Sequence, residues 1–290
     1  MTELAQAVVN GLQMGFLYAL VAVGLTIIWG LMEMINFAHG EFLMLGMFGA
    51  WWLSDSVGLD PLLAIVPIAV VMYAFGVLVY RHLMRRVQGG DPFTQIFATI
   101  GLLFLLQNAV VAGFTSDFRF VNDSLLVRLS GAKLALFGIT FGVPLLLAAG
   151  LALVLFLALY LLIERTEFGL ALQATSEDRD AARLVGIRPQ RMFAMAWGLG
   201  AALVAVAGAI LVNFFSVYPQ VGLQFTVLAY AVVALGGFGS LLGTLLAALL
   251  VGVIQSVTVI YLPPAFKDAF VFASYLLIGL FRPQGLFGRF

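Results

Sequence analysis

Long uncharged stretches, cut apart by charged residues, dominate the chain. They cover 4–32, 42–54, 61–80, 92–116, 134–163, 192–266 and 269–281. A membrane-spanning helix needs roughly 20 apolar residues, so 4–32, 61–80, 92–116 and 134–163 each fit one span. The stretch 192–266 is long enough for about three spans. Pro219 with Gly222 and the glycine-rich segment 236–240 mark the breaks between them, because Pro and consecutive Gly interrupt helices.

Two segments leave the number of crossings open. If 34–53 crosses fully, three spans precede Arg81 and the N-terminus lies outside; if it only dips in, the N-terminus lies inside. The first span has no basic residue before it, which favours outside. The segment 224–240 is short and is the candidate broken or re-entrant helix. We therefore predict an all-α, polytopic transmembrane bundle of about eight or nine crossings in one domain, 1–290.

Arginines fall into three groups that should lie in cytoplasmic loops. The groups are Arg81, Arg85 and Arg86; Arg165, Arg179, Arg183, Arg188 and Arg191; and Arg282 and Arg289. They hold ten of the 14 basic residues (three, five and two). Two spans separate the first group from the second. Four spans between the second and the third, which require one crossing on each side of the glycine break, would place all three groups on one side.

Composition supports a membrane protein and excludes several functions. The chain of 290 residues is 63% hydrophobic and 10% charged, against about 45–50% and about 25% in soluble domains. The net charge is zero, which argues against nucleic acid as a partner. Cysteine is absent, and two histidines are too few for a zinc site, so no metal or cofactor is expected. The first apolar run lacks a basic flank and is interpreted as a retained span rather than a cleaved signal peptide.

The longest polar segment, 164–191, carries the clearest functional pattern. Thr175 and Asp178 have the spacing of a capping box, and Glu177 and Asp178 suit the first turn of a helix. Gly186 is a natural helix stop. These signals predict a short cytoplasmic helix over about 176–185.

Two interpretations of this helix remain open: an amphipathic helix on the membrane surface, or a helix that docks into a groove of a partner protein. The apolar stripe of Ala181, Ala182 and Val185 is small for lipid binding and fits docking, with Arg179 and Arg183 on its flank. We therefore predict that this segment couples the chain to a partner.

A second polar cluster lies at 36–41 and contains Asn36, His39 and Glu41. Charged groups inside a membrane are costly and are usually retained for function. Gly40 suggests a helix break that lines a cavity; the alternative is a hydrated cap at the membrane boundary. Asn36, His39 and Glu41, together with Gly236 and Gly237 at the later glycine break, are the candidate pathway or gating residues.

The chain has no phosphate-binding loop. Such a loop needs Gly-Lys followed by Ser or Thr, but the two lysines, Lys133 and Lys267, follow Ala132 and Phe266. If ATP drives this protein, a partner must bind it. A membrane-embedded enzyme is also disfavoured, because no nucleophile–base pair or metal cluster is recognisable.

Several motifs together resemble the smaller permease subunit of branched-chain amino-acid ABC importers. They are the opening run 11–20 with Gly24-Leu25-Thr26, the motif 36–41, the segment 169–187, the glycine motif 235–240 with Gly243, and the ending 282–288. The resemblance runs from about residue 10 to residue 289. Gln173 departs from it, since the family often has a basic residue there, which weakens any claim of charge pairing at that position.

The resemblance implies a division of labour among several subunits. A second homologous permease would complete the pathway, two cytoplasmic ATPases would dock on the coupling loops, and a periplasmic or extracellular binding protein would deliver the solute. The location would be the plasma (inner) membrane of a bacterial-type cell. An ion-coupled transporter that uses His39 and Glu41 as a proton relay is the alternative. The sequence does not identify the solute among branched-chain amino acids, other amino acids, amides and urea.

Overall fold

Helices make up most of the computed structural model, which describes residues 2–136, 138–282 and 284–288. The longer helices and their short extensions are α1 (Thr2–Met32), α2 (His39–Val57), α3 (Pro61–Val79), a π-helical continuation (Tyr80–Met84) with α4 (Arg85–Val87), α5 (Pro92–Phe114), α7 (Val143–Arg165), α10 (Pro189–Leu211), α11 (Val221–Gly236), α12 (Leu241–Tyr261) and α13 (Lys267–Phe281). The connecting segments hold α6 (Leu125–Arg128), β1 (Lys133–Leu136), β2 (Ile139–Gly142), α8 (Glu167–Glu177), α9 (Arg179–Leu184) and a 3₁₀ turn (Pro264–Phe266).

The all-α prediction is confirmed except for one small hairpin. The stretch 134–163 was predicted to be one span, but its first part pairs as β1 and β2 with Lys133 opposite Gly142. Gly138, at φ +79°, forms the turn, a conformation that glycine adopts without steric cost. Pro144, in the first turn of α7, fixes where the helix begins.

Seven helices within the described residues are long and apolar enough to cross a membrane. They are α1, α3 with its extension to Val87, α5, α7, α10, α12 and α13 with the preceding 3₁₀ turn. Two more helices lie among them. The helix α2 carries Glu41 and Asp55 near its ends, and α11 is short, with 16 residues. The number of full crossings therefore stays a prediction.

The uncharged stretch 192–266 forms three helices, as predicted. The second break is where the glycine motif placed it: α11 ends at Gly236, and the Ser240 side chain caps α12 by accepting a hydrogen bond from the Gly243 N–H. The first break covers 212–220. Gly222 lies in the first turn of α11 rather than in the loop.

The interior of the bundle is built around α1 and α10, the two most buried of the spanning candidates. The helix α1 packs along α12, where a Cβ on Gly11 would lie 2.6 Å from the Cα of Val253 and one on Gly15 would lie 2.7 Å from the Cα of Leu249. Small residues thus let two backbones touch. Gly11 and Gly15 are therefore required for the close packing of α1 on α12.

The structure gathers most of the arginines at one end of the bundle; Arg119 and Arg128, which follow α5, do not belong to this group. Where α3 ends and α10 begins, the ring centroids of Tyr80 and Phe193 are 6.4 Å apart. Arg179 of α9 lies over the same Phe193 ring, 5.1 Å from its centroid. We call the end of the bundle where α3 ends and α10 begins the arginine-rich end. It carries the arginines 81, 85, 86, 165, 179, 183, 188 and 191, and Arg282 follows α13 on the same side; Arg289 lies outside the described residues.

The N-terminus lies at the opposite end of the bundle. The Gln6 Nε2 donates to the Thr140 carbonyl (2.6 Å), and the Thr140 N–H donates to the Gln6 Oε1 (2.8 Å). Thr140 belongs to the hairpin that precedes α7, and α7 ends with Arg165 at the arginine-rich end. The start of α1 therefore lies at the end opposite the arginine-rich end, and its predicted position outside the membrane stays a prediction.

Candidate functional site

The polar motif 36–41 lies inside the bundle, because α2 begins part of the way along α1. Residues 33–38 leave α1 without helical structure, and His39 then starts α2. The His39 Nε2 lies 2.9 Å from the carbonyl of Val21. Val21 is eleven residues before the end of α1, which is about 16 Å along a helix axis. A helix start at this depth resembles the discontinuous helices that form transporter sites.

Side chains of α11 satisfy the backbone at this break. The Asn36 N–H donates to the Tyr230 hydroxyl (2.7 Å), and the Gly40 N–H donates to the Thr226 hydroxyl (2.9 Å). The Asn36 Oδ1 accepts from the Ala38 N–H (3.1 Å). Non-helical backbone away from water must be paired in this way. Thr226 and Tyr230 were missed from the sequence, although their spacing of four residues on an apolar helix is a recognisable signal.

Glycine is required where α2 and α11 cross. A Cβ on Gly40 would lie 2.0 Å from the Gly222 carbonyl oxygen and 2.3 Å from the Thr226 hydroxyl. A Cβ on Gly222 would meet the carbonyl oxygen of Gly40 at 2.5 Å. The two backbones are therefore in contact, and neither position has room for a larger residue.

Glu41 joins α2 to α5 through a buried hydrogen bond. The Gln107 Nε2 donates to the Glu41 Oε1 at 3.0 Å, and the Glu41 side chain has no solvent exposure. Gln107 was recognised in the sequence only as one of several polar residues within spans. The structure shows that Gln107 is the hydrogen-bond partner of Glu41, the acidic residue of the predicted motif.

Three buried atoms of the motif lack a protein partner among the described residues. They are the Asn36 Nδ2, the His39 Nδ1 and the second carboxylate oxygen of Glu41. All three side chains are fully buried. Unpaired buried polar groups are costly, so this cluster retains hydrogen-bonding capacity that the fold itself does not use. The hydrated-cap interpretation does not fit the structure, because these groups are not at a water boundary.

Gly236 and Gly237 lie in a different place from the motif 36–41. A Cβ on Gly236 would meet the backbone of Gly243 at 2.5 Å, and one on Gly237 would meet the Gly288 nitrogen at 2.3 Å. The Gly236 carbonyl accepts from the Phe287 N–H. These glycines let α12 and the C-terminal segment pack closely against the end of α11, and their predicted role in gating stays a prediction.

The coupling segment contains two helices, so the predicted capping box is wrong. Thr175 lies inside α8, where its hydroxyl donates to the Ala171 carbonyl (2.7 Å). The cap is Asp178 alone, whose Oδ1 accepts from the N–H groups of Asp180 (2.8 Å) and Ala181 (3.0 Å). The predicted start at 176 therefore moves to Arg179. The stop is where it was predicted, since Gly186 has φ +87° and its N–H bonds to the Arg183 carbonyl.

Hydrogen bonding perturbs the acidity of the cap. The N–H groups of Ala181 and Asp180 hold the pKa of the Asp178 carboxyl below its usual range, because they stabilise the ionised form. Asp180 also forms an exposed ion pair with Arg183 at 2.8 Å. Exposed pairs contribute little to stability, so the capping bonds matter more for the start of α9.

Exposure divides the predicted coupling residues into two groups. Glu177, Asp178, Arg179, Arg183 and Gly186 are exposed, whereas Thr175 and Ala182 are buried. Ala182 therefore packs inward and does not offer a surface, contrary to its place in the predicted stripe.

The main apolar surface of this helix consists of Val185, which belongs to the predicted stripe, and Leu184, which the sequence prediction missed. Leu184 is 90% exposed and Val185 is 76% exposed, directly before the Gly186 stop. A Leu-Val pair at the end of an otherwise charged helix was the available signal. We call these two residues the apolar tip.

The described residues contain no group of three or more His, Cys, Asp or Glu side chains that could hold a metal ion. A buried polar break within a bundle of helices that are long and apolar enough to span a membrane is typical of multi-pass membrane transport proteins. The fold and the site therefore define a polytopic membrane permease.

Comparison with known proteins shows the family. The profile described as "Branched-chain amino acid transport system / permease component" matches residues 7–279. The chain belongs to this family of branched-chain amino acid transport system permeases.

Curated relatives agree over nearly the full length. The chain is 33% identical over 293 residues to the high-affinity branched-chain amino acid transport system permease protein BraD of Pseudomonas aeruginosa, covering 98% of this chain and 95% of that protein. It is 32% identical over 307 residues to the corresponding protein LivH of Escherichia coli K12, with the same coverage. A shorter match, 31% over 137 residues and 45% of this chain, is to the autoinducer 2 import system permease protein LsrC of Yersinia enterocolitica. No solved structure matches the chain.

Proposed function

We propose that this chain is a permease subunit of an ATP-driven ABC importer for branched-chain amino acids or related small solutes. In this proposal it forms half of the translocation pathway. A second homologous permease supplies the other half, two cytoplasmic ATPases provide the energy, and a periplasmic or extracellular binding protein delivers the solute. The relatives BraD and LivH support the substrate class, since both are named as branched-chain amino acid permeases.

The distribution of arginines supports the orientation. The arginine-rich end faces the cytoplasm in this proposal, because basic residues concentrate in cytoplasmic loops. The N-terminus and the β-hairpin then lie on the outside, and the membrane is the plasma (inner) membrane of a bacterial-type cell. This arrangement places α8 and α9 where cytoplasmic ATPases can reach them.

The single observation that carries the coupling mechanism is the apolar tip. Leu184 and Val185 stand out from the bundle at 90% and 76% exposure, on a segment whose other exposed residues are mainly polar or charged. Burying an aliphatic side chain contributes about 1.5–3 kcal/mol. The tip therefore suits a groove on an ATPase, and closure of the ATPase pair would move α9 together with α8 and α10, which flank it. ATP hydrolysis belongs to the partner, since neither lysine of this chain lies in a phosphate-binding loop.

The ion-coupled alternative gains no support from the relatives, which are named as permeases of branched-chain amino acid or autoinducer 2 import systems. A polar cluster that contains Glu41 is present, but an importer permease can also use it as a fixed hydrogen-bonded joint. The two functions differ in their source of energy, and that difference decides the test.

The test is uptake into liposomes that contain the co-purified assembly of this chain, its partner permease and its ATPases. Labelled leucine should accumulate only with ATP on the ATPase side and the binding protein on the other side. A non-hydrolysable ATP analogue is the control and should give no accumulation. Accumulation by this chain alone, driven by a proton or sodium gradient without ATP, would overturn the proposal.

A further inference from the structure

A small pocket lies between α11, α12 and α13, away from the motif 36–41. Its volume is about 260 Å³. Pockets for drug-sized ligands are about 300–1,000 Å³, so this one suits a solute as small as a single amino acid. Its apolar lining includes Phe215, Phe225, Leu228 and Phe272. Its polar lining includes Tyr18, Gln224, Gln255, Lys267 and Asp268.

Three of the polar lining residues form a chain of hydrogen bonds across three helices. The Tyr18 hydroxyl of α1 donates to the Gln255 Oε1 of α12 at 2.8 Å, and the Gln255 Nε2 donates to the Asp268 Oδ1 of α13 at 2.8 Å. An ionised carboxylate only accepts hydrogen bonds, so Asp268 fixes the orientation of the Gln255 amide. Tyr18 and Gln255 are buried, with 6% and 7% exposure. These groups are held in place before any ligand arrives.

Two opposite charges on this wall have no ionic partner among the described residues. Lys267 and Asp268 both line the pocket, and the ion pairs within the described residues are Arg128–Asp123 and Arg183–Asp180. Lys267 can donate three hydrogen bonds. The second oxygen of Asp268 accepts no hydrogen bond from the described side chains. The pocket thus offers one cation, one anion and an apolar surface within a small volume.

A larger groove leads to the same groups from the end that carries the N-terminus. It has a volume of about 640 Å³, runs between α1 and α12, and shares Tyr18, Gln255 and Lys267 with the pocket. Gln6 and Asn10 also line it. A polar solute can therefore reach the pocket from this end along hydrogen-bonding side chains.

We propose that this pocket binds the zwitterionic amino acid that the importer carries. The Lys267 ammonium group binds the carboxylate of the solute, the Asp268 carboxylate binds its ammonium group, and the phenylalanines take up its apolar side chain. The inference rests on the proposed function and adds to it a site within this chain. The shared chemistry, an anion next to an ammonium group, also occurs in the phosphatidylethanolamine headgroup, and the test separates the two.

The experiment measures equilibrium binding of labelled leucine to the complete membrane assembly in nanodiscs that contain phosphatidylglycerol and phosphatidylcholine, without the binding protein. Lys267→Gln should raise the Kd for leucine by about tenfold or more, because a charged hydrogen-bonded partner is lost. Lys133→Gln is the matched control. Lys133 is the only other lysine, lies on the exposed hairpin, and should leave the Kd unchanged.

A second ligand separates recognition from a purely structural role of Lys267. Leucinamide lacks the carboxylate, so it should bind the wild-type assembly more weakly than leucine, and Lys267→Gln should not weaken it further. The proposal is overturned if leucine shows no saturable binding, or if both lysine variants weaken it equally. Lys267-dependent stabilisation by phosphatidylethanolamine without leucine binding would assign the pocket to a lipid headgroup and would also overturn it.

The same preparations distinguish this proposal from the proposed function. If the assembly accumulates leucine with ATP and the binding protein while Lys267→Gln changes neither the Kd nor the KM of uptake, the pocket proposal fails and the importer proposal stands. If the wild-type assembly does not accumulate leucine at all, the importer proposal fails first.

Discussion

Removing the apolar tip should uncouple this permease from its ATPase without unfolding it. In the double variant Leu184→Ala/Val185→Ala, two side chains that are 90% and 76% exposed lose most of their apolar surface. Burial of a whole aliphatic side chain on docking contributes about 1.5–3 kcal/mol. The methyl group of alanine retains part of this free energy. The expected loss is about 2–3 kcal/mol of docking free energy, or about a 30- to 150-fold weaker association, since each 1.4 kcal/mol is about tenfold.

The assay has two readouts on the same membranes. The first is the affinity of the purified ATPase for nanodiscs that contain the two permeases, which should fall by the factor above. The second is solute-stimulated ATP hydrolysis, which should fall towards the rate of the free ATPase. The thermal stability of the permease itself should change little, because exposed side chains contribute little to folding.

Leu134→Ala is the matched control for this prediction. Leu134 is 50% exposed on the hairpin at the opposite end of the molecule, and its truncation removes a similar apolar group from a surface away from α9. It should leave both readouts unchanged. Wild-type ATPase affinity and coupling in the Leu184→Ala/Val185→Ala variant would refute the argument from exposed apolar area.

Three further predictions test the buried contacts of Gly40 and Gln107 and the Asp178 cap of α9. Gly40→Ala would place a Cβ 2.0 Å from a backbone carbonyl oxygen of α11. Because overpacking costs about 1–3 kcal/mol or more, the melting temperature should fall sharply. In the control Gly101→Ala, the added Cβ meets nothing within 4 Å, and the melting temperature should not change. Gln107→Leu leaves the acceptor of its buried hydrogen bond unpaired and should destabilise the protein by about 1–3 kcal/mol in a thermal-shift assay, whereas Leu at the neighbouring exposed Asn108 should have little effect. Asp178→Ala should speed hydrogen–deuterium exchange in α9 through loss of the cap, and Asp178→Asn should not, because Asn is also a good N-cap.

The pH dependence of the cap follows from the lowered pKa of Asp178. Its capping stabilisation is fully present above the usual pKa of an aspartate and is lost as the pH falls through the lowered value. The protection of the α9 amides, taken relative to the intrinsic exchange rate at each pH, should therefore fall at acidic pH in the wild type and much less in Asp178→Asn, whose cap does not titrate. Equal acid sensitivity in the two proteins would contradict the assignment of Asp178 as the cap.

The control variants for Gly40 and Gln107 state which results would contradict these two predictions. If Gly40→Ala and Gly101→Ala had the same melting temperature, α2 and α11 could not be in backbone contact. If Leu at Gln107 cost no more than Leu at Asn108, the bond between Gln107 and Glu41 would not hold α5 to α2.

The sequence located the coupling segment but not its exact geometry. Charged residues and Gly186 defined the segment and its end, because helix stops are local events that depend on a few neighbouring residues. The capping box failed because Thr175 belongs to α8, whose packing against the end of α1 and the start of α10 is not visible in a short sequence window. The inward position of Ala182 and the outward position of Leu184 depend on the same contacts.

The sequence by itself determined the class of this protein: its long uncharged stretches can be solvated only by lipid, and its arginines mark one side. Tertiary structure alone decided where the polar residues meet. Glu41 and Gln107 are 66 positions apart, and Tyr18 and Gln255 are 237 apart. The physical reason is that hydrophobicity and helix signals are properties of neighbouring residues, whereas a buried hydrogen bond depends on how distant helices cross.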